Sequence, residues 1–208
     1  MREPFAGVQR PRPLMAADAE RKLTPRQREI LDALEALAVQ QGFAELTMAE
    51  LAARVNCSLR TLYGLAPSKD ELLLAVVDRR LHRIGRDAAS VVEPGMDPLT
   101  ALRAYLAATN VAVGPTTEAL SRELAAVPGG IRLINEHANF IIAVTGKLLD
   151  RAVDEGLIDP VDTGALSLIL GGLGSYFSRP QVIPLIRESP KSTADAIMDI
   201  ILRGLDRR

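Results

Sequence analysis

TMAELAARVNCSLRTLYGLAPSKDEL, residues 47–72, is the stretch that decides the fold. It reads as two short helices meeting at a tight turn, with a third helix starting straight after. Leu51, Val55, Cys57, Leu62 and Leu65 supply apolar positions that can close on one another, and Ala52 is small where two helices must approach. Thr47 with Glu50, and Ser68 with Glu71, have the spacing of a capping box. Ser58 is placed to cap the helix between them. The opposite face of that helix carries Arg60, Thr61 and Tyr63. This is the pattern of a helix-turn-helix, whose second helix enters the DNA major groove.

On that reading the DNA-facing set is Thr47, Ser58, Leu59, Arg60, Thr61, Tyr63 and Lys69. A guanidinium at Arg60 can bond guanine bidentately, or a phosphate instead. Leu59 and Thr61 can touch a thymine methyl or the backbone. Lys69 and Thr47 sit at helix starts, where free amides and the helix dipole favour an anion. Bland roles stand beside these: capping alone for Thr47, a half-buried packing ring for Tyr63, a solvated side chain for Arg60.

SLRTLYGLAPSKDEL, Ser58 to Leu72, resembles the recognition helix and following helix of the TetR family of transcriptional regulators. Thr61-Leu62-Tyr63 and Ser68-Lys69-Asp70-Glu71-Leu72 bear most of the resemblance, which covers roughly a quarter of the chain. It implies a phosphate contact for Tyr63. Three positions depart from the family pattern. Asn56 stands where the turn usually has Gly, and Asn is the next most tolerant residue for a left-handed backbone. Gly64-Leu65 replaces the usual His or Tyr, which removes one phosphate contact. Ala66 replaces the usual Phe, which thins the packing onto the next helix.

The rest of the 208 residues fit an all-α protein. Apolar residues make up 48% but aromatics only 3%, with no Trp, so the core is built from Leu, Ile, Val and Ala. Alternating β-branched runs are missing. The net charge of −1 does not advertise nucleic-acid binding, but residues 1–90 carry 14 Lys and Arg against 12 acids, and residues 91–208 carry 11 against 14. The asymmetry is small and of the expected sign. The lone Cys57 excludes an intrachain disulfide framework and a cysteine metal cluster, and suits a reducing cytosol. No leader pattern opens the chain, and the longest uncharged apolar run, Gly164 to Phe177, is about 14 residues, too short to span a bilayer.

In order, residues 1–22 read as a disordered arm whose Arg10, Arg12, Arg21 and Lys22 can reach DNA or simply be solvated. Residues 23–68 read as a three-helix DNA-binding domain opened by Thr24-Pro25-Arg26-Gln27 and residues 69–90 as a linking helix. Residues 91–208 read as a helical ligand-binding and dimerisation bundle, for about nine helices in all. Helices are expected over 97–112, from Thr116 after Gly114-Pro115, over 131–155, 162–178 and 189–205.

Residues 162–178 carry too many apolar side chains for one stripe, so this helix is covered on more than one side. Leu166, Ile169, Leu170, Leu173 and Phe177, with Ile197 and Ile201 of the last helix, are expected to build a four-helix dimer interface. A buried hairpin within one subunit is the alternative. Helical bundles host ligands in apolar cavities with a few polar groups. Tyr105, Asn110, His137, Phe140, Thr145 and Tyr176 are the candidate liners, for a small neutral or lipophilic effector. The bland readings outweigh the ligand role at three of them: a surface or satisfied core histidine for His137, a helix end for Asn110 and a helix-packing hydroxyl for Thr145.

Only two histidines occur, His82 and His137, and no metal-ligand spacing, phosphate loop or paired apolar carboxylates appear. Metal, cofactor and catalytic roles are therefore not expected. Together these features describe a cytoplasmic homodimeric repressor that binds a palindromic duplex and is released by an effector. The competing readings are a helical ligand-binding or enzyme-like protein with a vestigial helix-turn-helix, and a ligand-free architectural DNA binder.

Overall fold

The computed structural model describes residues 5, 7–15, 17–112 and 118–205. All regular structure among them is helical: α1 (Ala17–Lys22), α2 (Pro25–Gln41), α3 (Met48–Arg54), α4 (Leu59–Leu65), α5 (Lys69–Ser90), α6 (Pro98–Thr109), α7 (Glu118–Ala126), α8 (Gly130–Asp154), α9 (Thr163–Phe177) and α10 (Pro190–Leu205), with single 3₁₀ turns at Asn110–Ala112 and Ile183–Leu185. Within the arm expected over 1–22, α1 is an added helix. The expected stop at Gly114-Pro115 and start at Thr116 lie outside the described residues.

Polar caps set most of these boundaries. Thr24 Oγ1 accepts the Gln27 amide at 3.2 Å while Gln27 Oε1 accepts the Thr24 amide at 2.8 Å, and Pro25 occupies the first helical position. Asp97 accepts the Leu99 amide at 2.9 Å to start α6, and Asp162 accepts the Ala165 amide at 2.9 Å to start α9. Each such cap contributes roughly 1 kcal/mol.

Two compact units result. One comprises Arg12–His82 and Pro115–Leu133, the other Met1–Pro11, Arg83–Gly114 and Ile134–Arg208. The division differs from a boundary near residue 90, because α7 groups with the amino-terminal helices. Its Glu123 carboxylate accepts the Phe43 amide at 2.7 Å, just past the end of α2. In that unit Ile30, Leu31 and Leu34 of α2, Phe43, Leu51, Leu62, Leu72 and Leu73 are fully buried. Burying each such side chain stabilises the fold by about 1.5–3 kcal/mol.

In the other unit one core joins Leu102, Tyr105 and Leu106 of α6 to Val144, Leu148 and Ala152 of α8, Leu170 and Leu173 of α9, and Met198 and Leu202 of α10. α9 meets α8 closely: a Cβ built at Gly171 would lie 2.8 Å from Ile142 Cα. Replacing Gly171 by Ala therefore forces backbone apart, at a cost of about 1–3 kcal/mol. Gly85 in α5 has nothing within 4 Å of such a Cβ, so Ala there gains helix propensity. Thermal melts should show Gly171→Ala lowering Tm and Gly85→Ala raising it by about 2–4 °C.

Candidate nucleic-acid interface and effector core

The geometry of the α3–α4 corner starts at Asn56, whose φ of 51° is the left-handed turn expected there. With the chain reversed, the Cys57 amide reaches Ala52 O at 2.9 Å and the Asn56 amide reaches Ala53 O at 3.2 Å. Arg26, in the first turn of α2, donates to Asn56 O at 2.7 Å and to Val55 O at 3.4 Å. Sequence reasoning missed this contact. Its only signal was a cation in a first helical turn, where the dipole disfavours one. Burial pushes the neighbouring Cys57 thiol up from its usual value, and the Arg26 charge opposes that only partly.

Ser58 then caps α4 by accepting the Thr61 amide at 3.0 Å, and its Oγ lies 2.7 Å from Thr61 Oγ1. Leu62 and, just past the helix, Ala66 are buried. The other side of α4 faces outward: Leu59 and Arg60 are exposed, and Tyr63 is 52% exposed. Arg60 and Tyr63 make no hydrogen bond or ion pair with the described residues. One short helix thus presents a cation, a phenol and an aliphatic side chain from a base held by Leu62.

Two residues expected at DNA are engaged elsewhere. Lys69 Nζ donates to Ala44 O at 2.8 Å and Phe43 O at 3.1 Å, which ties α5 to the α2–α3 loop. At Thr47 the Glu50 carboxylate accepts both the amide, at 2.8 Å, and the hydroxyl, at 2.7 Å. Those bonds hold the Glu50 carboxyl below its usual pKa. The anion seat at the α3 start is therefore filled by the chain's own carboxylate.

The candidate effector residues divide by environment. Tyr105 is 1% exposed, and its hydroxyl is buried with no hydrogen-bond partner among the described residues; the Thr145 hydroxyl is buried in the same state. Desolvation drives the Tyr105 pKa well above that of free tyrosine. Phe140 is half-buried against the core, and His137 is half-buried on α8. Asn110 is buried but committed, donating to Asp195 Oδ1 at 2.6 Å. Tyr176 points outward, with the Arg179 guanidinium 5.2 Å from its ring centroid.

The residues expected at a dimer contact divide too. Leu170, Leu173 and Phe177 lie in the core of their own unit, and Leu166, Ile197 and Ile201 are half-buried against it. Of the seven, only Ile169 is exposed. The outward apolar face is Leu168, 63% exposed, Ile169 and Tyr176 on α9, with Ile200, 68% exposed, on α10. A helix apolar all round does not tell from its sequence which side its own chain covers.

The sequence model of the tetR family of bacterial regulatory proteins matches residues 30–76. The HTH-type transcriptional repressor KstR of Rhodococcus jostii (strain RHA1) is 30% identical over 141 residues, 66% of this chain. The chain spans 62% of that relative's length. Among solved structures, a TetR transcription regulator from Haloarcula marismortui superposes with a TM-score of 0.73 at 19% identity, covering 89% of this chain and all of that one. AibR in complex with isovaleryl coenzyme A and operator DNA superposes at 0.61 and 21% identity, over 84% of this chain and 97% of that one. At these identities the structures show a shared fold.

Because Asn56 sits in the left-handed region, Asn56→Ala should destabilise by about 1–2 kcal/mol. Asn56→Gly should melt at or above the parent temperature, so urea titrations of the two variants bracket the parent.

Proposed function

We propose that this chain, a member of the TetR family through its amino-terminal domain, is a homodimeric transcriptional repressor that reads a palindromic operator with α4 and is released by a small lipophilic effector. The observation that carries the proposal is the outward set of Leu59, Arg60 and Tyr63 on a helix anchored by Leu62. In this reading Arg60 contacts a guanine edge, Tyr63 a phosphate oxygen and Leu59 a thymine methyl. Ser58 and Thr61 hold the helix start, while Thr47 and Lys69 position the surface from inside rather than touching DNA.

DNA binding belongs to residues 23–68. Effector binding and dimerisation belong to the helices between residues 91 and 208, around Tyr105, Phe140 and Thr145. α5 contributes residues to both compact units and is the element through which an effector changes DNA affinity, provided the effector binds the two states differently. A solved neighbour that holds both operator DNA and an acyl coenzyme A supports a regulator with two such partners. No helix among the described residues is long and apolar enough to cross a membrane, and a regulator of this kind works in the cytoplasm.

The exposed apolar side chains Leu168, Ile169 and Tyr176 of α9 and Ile200 of α10 are the ones a second copy covers. A two-fold dimer carries two copies of α4 and so reads a two-fold symmetric target. Leu168→Glu should give a folded monomer in sedimentation, with helical circular dichroism unchanged and duplex binding lost; a dimer of parental stability would refute this surface.

A gel shift against the chain's own upstream DNA tests the function. Tight, salt-sensitive binding is expected, with scrambled duplex bound far more weakly. Arg60→Ala should cost about 1–3 kcal/mol on the cognate duplex and flatten the preference. Lys69→Ala should lower Tm and leave the salt slope unchanged. Equal affinity for cognate and scrambled duplex would overturn the proposal.

A further inference from the structure

The unit that holds Tyr105 also takes in the start of the chain. The Val8 amide donates to Phe5 O at 3.2 Å, closing a four-residue turn. Gly7 has φ +80°, in the left-handed region that favours glycine. The turn lands Phe5 and Val8 together, half-buried, on the core of α6, α8, α9 and α10. The Phe5 ring centroid is 5.5 Å from that of Tyr105, tilted by 42°.

This cover is chemically incomplete. Phe5 offers Tyr105 a ring but no polar atom, and the Tyr105 hydroxyl stays buried without a partner among the described residues. The Thr145 hydroxyl on α8 is in the same condition, between Val144 and Leu148 of the same core. Buried hydroxyls are rarely left unbonded, because water has been removed and nothing replaces it. A site needed only for packing would be served by Phe and Val at these positions. An occupant with an apolar body and one hydrogen-bonding atom would make the contact Phe5 makes and satisfy a hydroxyl that Phe5 cannot.

We propose that the Phe5–Val8 turn is an intramolecular competitor seated on the effector site beside Tyr105, displaced by a lipophilic molecule that brings one polar atom to the buried hydroxyl. The proposal rests on the effector-binding reading above and adds to it the group that the effector must evict. Two side chains, both only half-buried, have to leave the seat. If the turn occupies the site in about nine of ten molecules, apparent affinity for an entering ligand falls about tenfold.

The test uses Nile red, a neutral lipophilic dye with a carbonyl acceptor, titrated into the full chain and into a Phe5→Ser/Val8→Ser variant. The variant should bind about tenfold more tightly. Adding Tyr105→Phe to it should weaken binding again, which dye adsorbed on the exposed α9–α10 face would not show. Equal affinity of parent and variant overturns the competitor while leaving the effector site standing. No binding by either protein removes the effector site and the competitor with it. A second readout uses the parent alone: saturating dye should speed chymotryptic cleavage after Phe5 severalfold, and unchanged or slower cleavage overturns the proposal even if the double variant fails to fold.

Discussion

The outward face of α4 depends on one backbone conformation, the left-handed Asn56, and on the Arg26 guanidinium that grips its carbonyl. A residue in this region costs little only for Gly, and less for Asn than for other side chains. Once the chain reverses there, Ser58 caps α4 and Leu62 drops into the core. Helical geometry then turns Leu59, Arg60 and Tyr63 away from the protein. The outward face is a consequence of what is fixed inward.

The same division of labour explains why one cation and one cap near that surface are not free. Lys69 bridges the loop carbonyls at 43 and 44, and Glu50 fills the anion position at Thr47. Both stiffen the platform on which α4 stands. In the proposed reading, base contacts then fall to the outward side chains Leu59, Arg60 and Tyr63.

Much of this was legible in the residues alone. Caps at Thr24, Thr47, Ser58, Asp97 and Asp162 marked helix starts because a side-chain acceptor there meets orphan amides. Buried and outward positions on α4 followed from helical spacing. Less legible was anything that needs a partner distant in sequence. The reach of Arg26 to Asn56, of Lys69 to the α2–α3 loop and of Glu123 to Phe43 leaves no periodic trace. Helix α1 is a single short helix between prolines and had no stripe to announce it. On α9, apolar on every side, Leu170 and Leu173 could not be told from Leu168 and Ile169 until the neighbours of Gly171 were known. Tyr105 and Thr145 were two of six candidate liners, Thr145 with a helix-packing role beside it, and the structure adds that their hydroxyls are buried without partners among the described residues. Asn110, another of the six, has a different fate, since Asp195 takes its amide.

The central claim is that α4 meets base edges in the major groove. Dimethyl sulfate footprinting of the upstream duplex reads this directly, because it methylates guanine N7 in the major groove and adenine N3 in the minor groove. The account predicts guanine N7 protection in two symmetry-related half-sites about one helical turn or more apart. Protection confined to adenine N3, or no guanine protection under conditions where the duplex is bound, would contradict it.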